Sequence, residues 1–174
     1  MDAYAPQYIP PVDTSRWVIE QVEAHRTIDG DTVEIRTASG KQLVVRFYFV
    51  DTPELDQPGG LAAKEIVDAV LQKPALVAVR KGRVGRYGRA LGEFFSLSSR
   101  MPVSVMLACA GYAWPTRHKN SLVSKCIANA KKKRYGVWSL RLQIAPKQWR
   151  RVRSEVKAYT LNAIVEDLTG AVQK

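Results

Sequence analysis

Arg46-Phe47-Tyr48-Phe49-Val50-Asp51-Thr52-Pro53-Glu54 joins an apolar run to three charged side chains. With Leu43, Val44 and Val45 before it, the run is rich in aliphatic and aromatic residues and reads as a strand over 41–50. Pro53 ends it, because proline lacks the ladder donor and restricts Thr52 before it. The strand therefore carries Arg46, Asp51 and Glu54 to its end within nine residues. A surface turn with charged decoration would share these features, so the stretch gains meaning only from its company.

Two further stretches supply that company. Ile28-Asp29-Gly30-Asp31-Thr32-Val33 sets two acids around a glycine, at the start of a strand over 31–37. Asp-Gly is a hairpin-turn signal, and Asp29 reads as a turn former. Gly82-Arg83-Val84-Gly85-Arg86-Tyr87-Gly88-Arg89-Ala90-Leu91-Gly92 holds four glycines and three arginines in eleven residues. Such a composition makes a poor core. It suits a loop that brings backbone and guanidinium groups close to phosphate.

Taken in order, Asp-Gly-Asp-Thr, Arg-x-x-x-x-Asp-Thr-Pro-Glu and Tyr-Gly-Arg-x-Leu resemble the staphylococcal nuclease (thermonuclease-like) family, over roughly Trp17 to Trp138. The resemblance implies an α+β fold, a five-stranded OB-type β-barrel with about three packed helices, to which this chain adds a C-terminal helical extension. It also implies Ca²⁺-dependent, sugar-non-specific cleavage of DNA and RNA, both endo- and exonucleolytic, leaving 3′-phosphates. Carried over position by position, Asp31 and Asp51 would be the metal carboxylates, and Thr52 would add its main-chain carbonyl. Glu54 would activate the attacking water, and Arg46 and Arg89 would hold the phosphate. Arg86 and Tyr87 match nucleotide-contacting positions, or are plain loop surface. Tyr112 and Trp114 would form a stacking platform, although Trp114 could equally be core and Pro115 interrupts the family's aromatic-containing run.

The residue types suit that chemistry. Carboxylate oxygens are hard donors for Ca²⁺, which accepts six to eight oxygen ligands in flexible geometry; another hard divalent cation would fit them too. Glu54, three residues beyond Asp51, can position or deprotonate water. Guanidinium forks match phosphate oxygens in a way that lysine does not.

The chain of 174 residues carries a formal charge of +11, with a pI near 9.9. Such a balance favours an anionic partner, nucleic acid through its phosphate backbone or an acidic surface. Residues 1–72 hold 6 Lys/Arg and 12 Asp/Glu, whereas residues 73–174 hold 21 and 4. Acids able to bind a cation thus come early and bases able to bind phosphate come late. A basic protein-docking surface would show the same segregation.

Cys109 and Cys126 sit in apolar, helical surroundings, which favours buried free thiols over a disulfide. No Cys or His spacing suits a metal, and His25 and His118 receive no role. No apolar run reaches transmembrane length, so no membrane partner is expected. The start, Met1 to Pro11, has an early acid, three prolines and no apolar core. It does not read as a secretory signal, and an intracellular or virion-associated setting is expected.

Three parts follow: an extended arm over 1–15, the nuclease-like domain over 16–138, and a basic amphipathic extension over 139–174. The domain's strands are expected over 16–26, 31–37, 41–50, 76–79 and 90–95, and its helices over 60–72, 103–110 and 121–134. Leu61, Ala62, Ile66, Val67, Val70 and Leu71 recur at helical spacing on the first helix, and Leu122, Ile127 and Ala130 should face inward on the third. The loop Asp56-Gln57-Pro58-Gly59-Gly60 is shorter than the family's loop that approaches substrate. The extension should open a helix at Pro146, with Trp149, Val152, Val156, Tyr159 and Ala163 at three-four spacing. It packs on its own domain, or it docks a protein partner, self-associates or adds nucleic-acid contact, and the arm could join it in this. Two other functions compete with hydrolysis: a binding module that has lost catalysis, and an assembly component carrying a nuclease core. Asp31, Asp51, Glu54, Arg46 and Arg89 occurring together favour hydrolysis.

Overall fold

Thirteen residues of β1 (Trp17–Asp29) form the longest strand and the wall on which two others pair. The computed structural model describes residues 12–152, 156, 157, 160 and 161. After β1 come β2 (Thr32–Thr37), β3 (Gln42–Phe47), β4 (Val50–Asp51), α1 (Gly60–Leu71) and β5 (Ala75–Val84). Then follow β6 (Ala90–Ser96), α2 (Val103–Ala110), β7 (Trp114–Pro115), α3 (Ser121–Lys133) and the short α4 (Pro146–Trp149). Strands β1-β2-β3-β6-β5 close into a barrel, antiparallel except for the parallel β3–β6 contact. This is the five-stranded α+β barrel that the sequence motifs imply. Val33, Ile35, Val45, Phe47, Val77 and Phe94 fill it, with the Phe47 and Phe94 rings 5.3 Å apart. Side chains alternate along a strand, so burying Val45 and Phe47 turns Arg46 outward.

The strand expected over 41–50 is broken. β3 stops at Phe47, and Tyr48 and Phe49 turn onto Trp17, with ring centroids 5.2 and 6.3 Å from it. Val50 and Asp51 then pair with Pro115 and Trp114 as a separate ribbon. The aromatic pair reads as strand locally, but Trp17 on β1 offers it a better burial site. The break brings the chain back beside the β1–β2 turn.

The helices bury Val67, Leu71, Ile127 and Ala130 as expected and differ at their first turns, where Leu61 and Leu122 are exposed. α1 buries Gly60, Ala63, Val67 and Leu71, and leaves Leu61 64% exposed. In α3 the cap sets the phase: Asn120 Oδ1 accepts the N–H groups of Leu122 and Val123 at 3.0 and 3.1 Å. Val123, Ile127 and Ala130 face the core and Leu122 faces solvent. Neither α2 terminus carries a local side-chain cap. Instead Glu93, buried on β6, accepts the Ser104 N–H at 3.2 Å and the Ser104 hydroxyl. Burial pushes the Glu93 carboxyl up to about 7, against the pull of those hydrogen bonds.

Cys109 and Cys126 are joined as a disulfide, not free thiols as expected, with Cα atoms 4.4 Å apart. Packing of α2 on α3 sets their apolar faces side by side, a pairing that neither local stretch reveals. The continuous helix expected from Pro146 is also corrected. α4 has four residues and gives way to turns through Val152, with Trp149 fully buried. Tyr159, Ala163 and residues 1–11 of the expected arm lie outside the described residues. Among the described residues no helix is long and apolar enough to cross a membrane.

Candidate active site

Asp31 lies in the turn between β1 and β2, where its N–H donates to Asp29 Oδ1 at 3.0 Å. Register β2–β3 pairs Thr32 with Arg46, which sets the arginine beside this acid. Asp31 Oδ1 accepts from Arg46 Nη1 and from the Thr32 hydroxyl at 3.1 Å; Oδ2 accepts the Thr52 N–H at 2.9 Å. Gly30 permits this closeness, since a Cβ there would lie 2.6 Å from Thr52 Oγ1 and from the Ala63 Cβ. The other arm of Arg46, Nη2, donates to Asp51 Oδ1. One guanidinium therefore bridges an acid of the β1–β2 turn and an acid of β4.

Glu54 stands at the next turn, its N–H bonded to Gln57 Oε1 at 3.2 Å. Gly60 opens α1 directly behind it: a Cβ on Gly60 would fall 1.9 Å from the Glu54 carbonyl oxygen. A second guanidinium completes the cluster. Arg150 Nη1 donates to Glu54 Oε1, and Nη2 lies 3.2 Å from Asp51 Oδ2. Side-chain exposure rises from 3% at Asp31 through 17% at Asp51 and 30% at Glu54 to 41% at Arg150. The acids thus form a ramp from the barrel wall to solvent. Burial pushes the Asp31 carboxyl above the ordinary range, with Arg46 and the Thr52 amide pulling the other way. Burial works against the Arg150 charge, but Asp51 and Glu54 outweigh it and raise its pKa.

The remaining sequence candidates lie elsewhere. Arg89 is extended just before β6, and its guanidinium carbon stands 5.7 Å from the Tyr87 ring centroid. Both line an open groove with Leu43, Val44, Arg80 and Arg83. Leu91, two residues on, pairs with Arg46, so Arg89 shares the outer face of this part of the sheet. Tyr87 is 84% exposed; the Arg86 side chain is outside the described residues. Tyr112 is half-buried against the core, and Trp114 is half-buried with its ring 4.9 Å from that of Trp138. Sequence reasoning missed Arg150. Its basic cluster was visible, but not a contact reaching back 96 positions. It also left out His118, which stacks on Tyr48 with centroids 3.8 Å apart.

A family model, Staphylococcal nuclease homologue, matches residues 44–140. The chain belongs to this family. The nuclease-homologue span holds Arg46, Asp51, Thr52, Glu54 and Arg89; Asp31 precedes it and Arg150 follows it. Protein ParB of Escherichia coli is 30% identical over 152 residues, covering 80% of this chain and 84% of that protein. Micrococcal nuclease of Shigella flexneri is 26% identical over 152 residues, covering 80% and 86%.

For this nuclease homologue the donor chemistry suits a hard divalent cation: carboxylates of Asp31, Asp51 and Glu54 beside the Thr52 backbone. Thr52 Oγ1 is buried there without a hydrogen-bond partner. Among the described residues no three Asp, Glu, His or Cys side chains gather as a ready metal cluster. Guanidinium groups stand between the acids, Arg46 between Asp31 and Asp51, and Arg150 between Asp51 and Glu54.

Proposed function

We propose that the protein is a Ca²⁺-dependent nuclease that hydrolyses DNA and RNA phosphodiesters with little base specificity. The observation that carries this is the convergence of Asp31, Asp51 and Glu54 with Arg46 at one mouth of the barrel. Family membership and the 26% identity to a micrococcal nuclease support it.

Asp31, Asp51 and the Thr52 carbonyl would hold the cation. When bound, it supplies positive charge that offsets the charge growing on the phosphate oxygens. Arg46 and Arg89 grip phosphate through paired donors, Arg46 exchanging carboxylate acceptors for phosphate ones. Glu54, more open than the two aspartates, takes a proton from the water that attacks phosphorus. The bond from phosphorus to the 5′-oxygen then breaks, that oxygen leaves as a hydroxyl after taking up a proton, and the other product keeps a 3′-phosphate. Tyr87, exposed under Arg89, offers a face for an adjacent nucleotide, with Arg86 in the same turn. Tyr112 and Trp114 would bound the other side of the substrate path. Phosphate contacts carry no sequence information, hence the lack of base preference.

Incubation with single-stranded DNA and with RNA, in Ca²⁺ and in chelator, tests this. Cleavage in Ca²⁺ that stops in chelator is expected. Glu54→Gln should lower turnover by about 10²–10⁴ at an unchanged melting temperature. Intact substrate after exposure to folded protein in Ca²⁺ would end the proposal.

A further inference from the structure

We infer that Arg150 is a further active-site residue, brought from beyond the family-matched span, which competes with a divalent cation for Asp51 and Glu54. The inference rests on the nuclease proposal above. Both Asp51 oxygens face this one side chain: Nη1 lies 3.4 Å from Oδ1 and Nη2 3.2 Å from Oδ2. Nη1 also takes Glu54 Oε1. These are oxygens that cation binding and water activation would need. A guanidinium and a hard cation cannot both take the same lone pairs, and their like charges repel at that distance.

Arg150 is not a stray surface arginine. Trp149 beside it is 1% exposed and lines a cavity together with Gln57, Pro58, Trp114, Val137 and Ile144. The Trp149 indole N–H donates to Asp56 Oδ1 at 2.9 Å, and Lys157 Nζ donates to Asp56 Oδ2 at 2.9 Å. Gln57 Nε2 donates to the Ile144 carbonyl at 2.6 Å. Five residues, Asp56, Gln57, Ile144, Trp149 and Lys157, thus tie the loop after Glu54 to the segment around α4, and Arg150 projects from that knot onto the acids. In the resting site its charge relieves repulsion between Asp51 and Glu54. Its 41% exposure leaves it room to swing outward when a cation arrives.

The test is Ca²⁺ titration of the full chain without nucleic acid, by calorimetry and by Ca²⁺-dependent thermal shift. Arg150→Gln should bind Ca²⁺ about fivefold or more tightly than the parent. Arg150→Lys, which keeps the charge but loses the fork, should fall between them. Arg151→Gln removes the next base in sequence and should leave the affinity unchanged. Parental affinity in Arg150→Gln, or a shift no larger than that of Arg151→Gln, overturns the inference while cleavage still upholds the nuclease proposal. Absence of both Ca²⁺ binding and cleavage in every variant removes the nuclease proposal and this inference with it.

Discussion

The Trp149 indole donates to Asp56 across 93 positions of sequence, which fastens α4 to the loop after Glu54. Trp149 is also among the largest fully buried side chains. Trp149→Ala should therefore cost about 3–5 kcal/mol of stability, and Trp149→Phe about 1 kcal/mol from the lost hydrogen bond. Urea denaturation measures both. Parental stability in the Ala variant would mean that the segment does not dock in solution.

Arg46 separates charge from geometry. Arg46→Gln strands Asp31, almost wholly buried, without its cation and should cost about 3–5 kcal/mol. Arg46→Lys keeps a charge but cannot bridge Asp31 and Asp51 with two arms. It should fold better than the Gln variant and still lose about 10²–10³ in turnover. Denaturation curves and steady-state cleavage rates, taken together, check this.

How far the sequence spoke can be judged from these residues. Strand alternation around Val45 and Phe47 already turns Arg46 outward, and an Asp-Gly turn already sets Asp31 at a hairpin end. Those are local rules, and they were legible. Three contacts were not: Cys109 with Cys126, Trp17 with Tyr48 and Phe49, and Arg150 with Asp51 and Glu54. Each joins separate elements, and the packing that joins them has no signature in either stretch alone. Helix phase failed only in the first turns, for a related reason. Leu61 and Leu122 fit an apolar stripe by type, but the Asn120 cap and the close approach at Gly60 set each first turn so that a neighbour, Val123 or Gly60, faces the core instead.

Glu93 predicts a pH dependence. Its carboxyl titrates near 7 when folded against 4.5 for the ordinary group. Between those values the folded protein keeps a proton that the unfolded chain has lost. Its contribution is therefore full below about 4.5 and fades as pH rises towards 7, at up to about 1.4 kcal/mol per pH unit. Glu93→Gln can still accept the Ser104 N–H and can donate to the Ser104 hydroxyl. Relative to the parent it should gain stability as pH rises from 5 to about 8 in pH-stepped denaturation. A constant difference across that range would contradict the assignment.

The disulfide closes a span of 17 positions between α2 and α3. Replacing both cysteines by alanine should lower stability by about 3 kcal/mol, less any compensation from repacking. Thermal denaturation with and without reductant, on parent and variant, reads this out: reductant should shift only the parent.

Gly60 lies too close to Glu54 for any side chain. Gly60→Ala must push the Glu54 carbonyl away, since the added carbon would fall 1.9 Å from it. Cleavage should drop by about tenfold or more, because small misplacements of a reacting group are costly. Leu61→Ala, one residue along on the exposed face, should leave the rate unchanged.

Arg150 reaches the acids from outside the span that defines its family, which ends at 140. A version of the protein trimmed at that boundary would be short of a counter-ion as well as of a tail. Its mouth would be more acidic, and its appetite for divalent ions would belong to the fragment alone. Swapping barrels between relatives while leaving their chain ends behind would mislead in the same way, because part of the electrostatic design travels with the end.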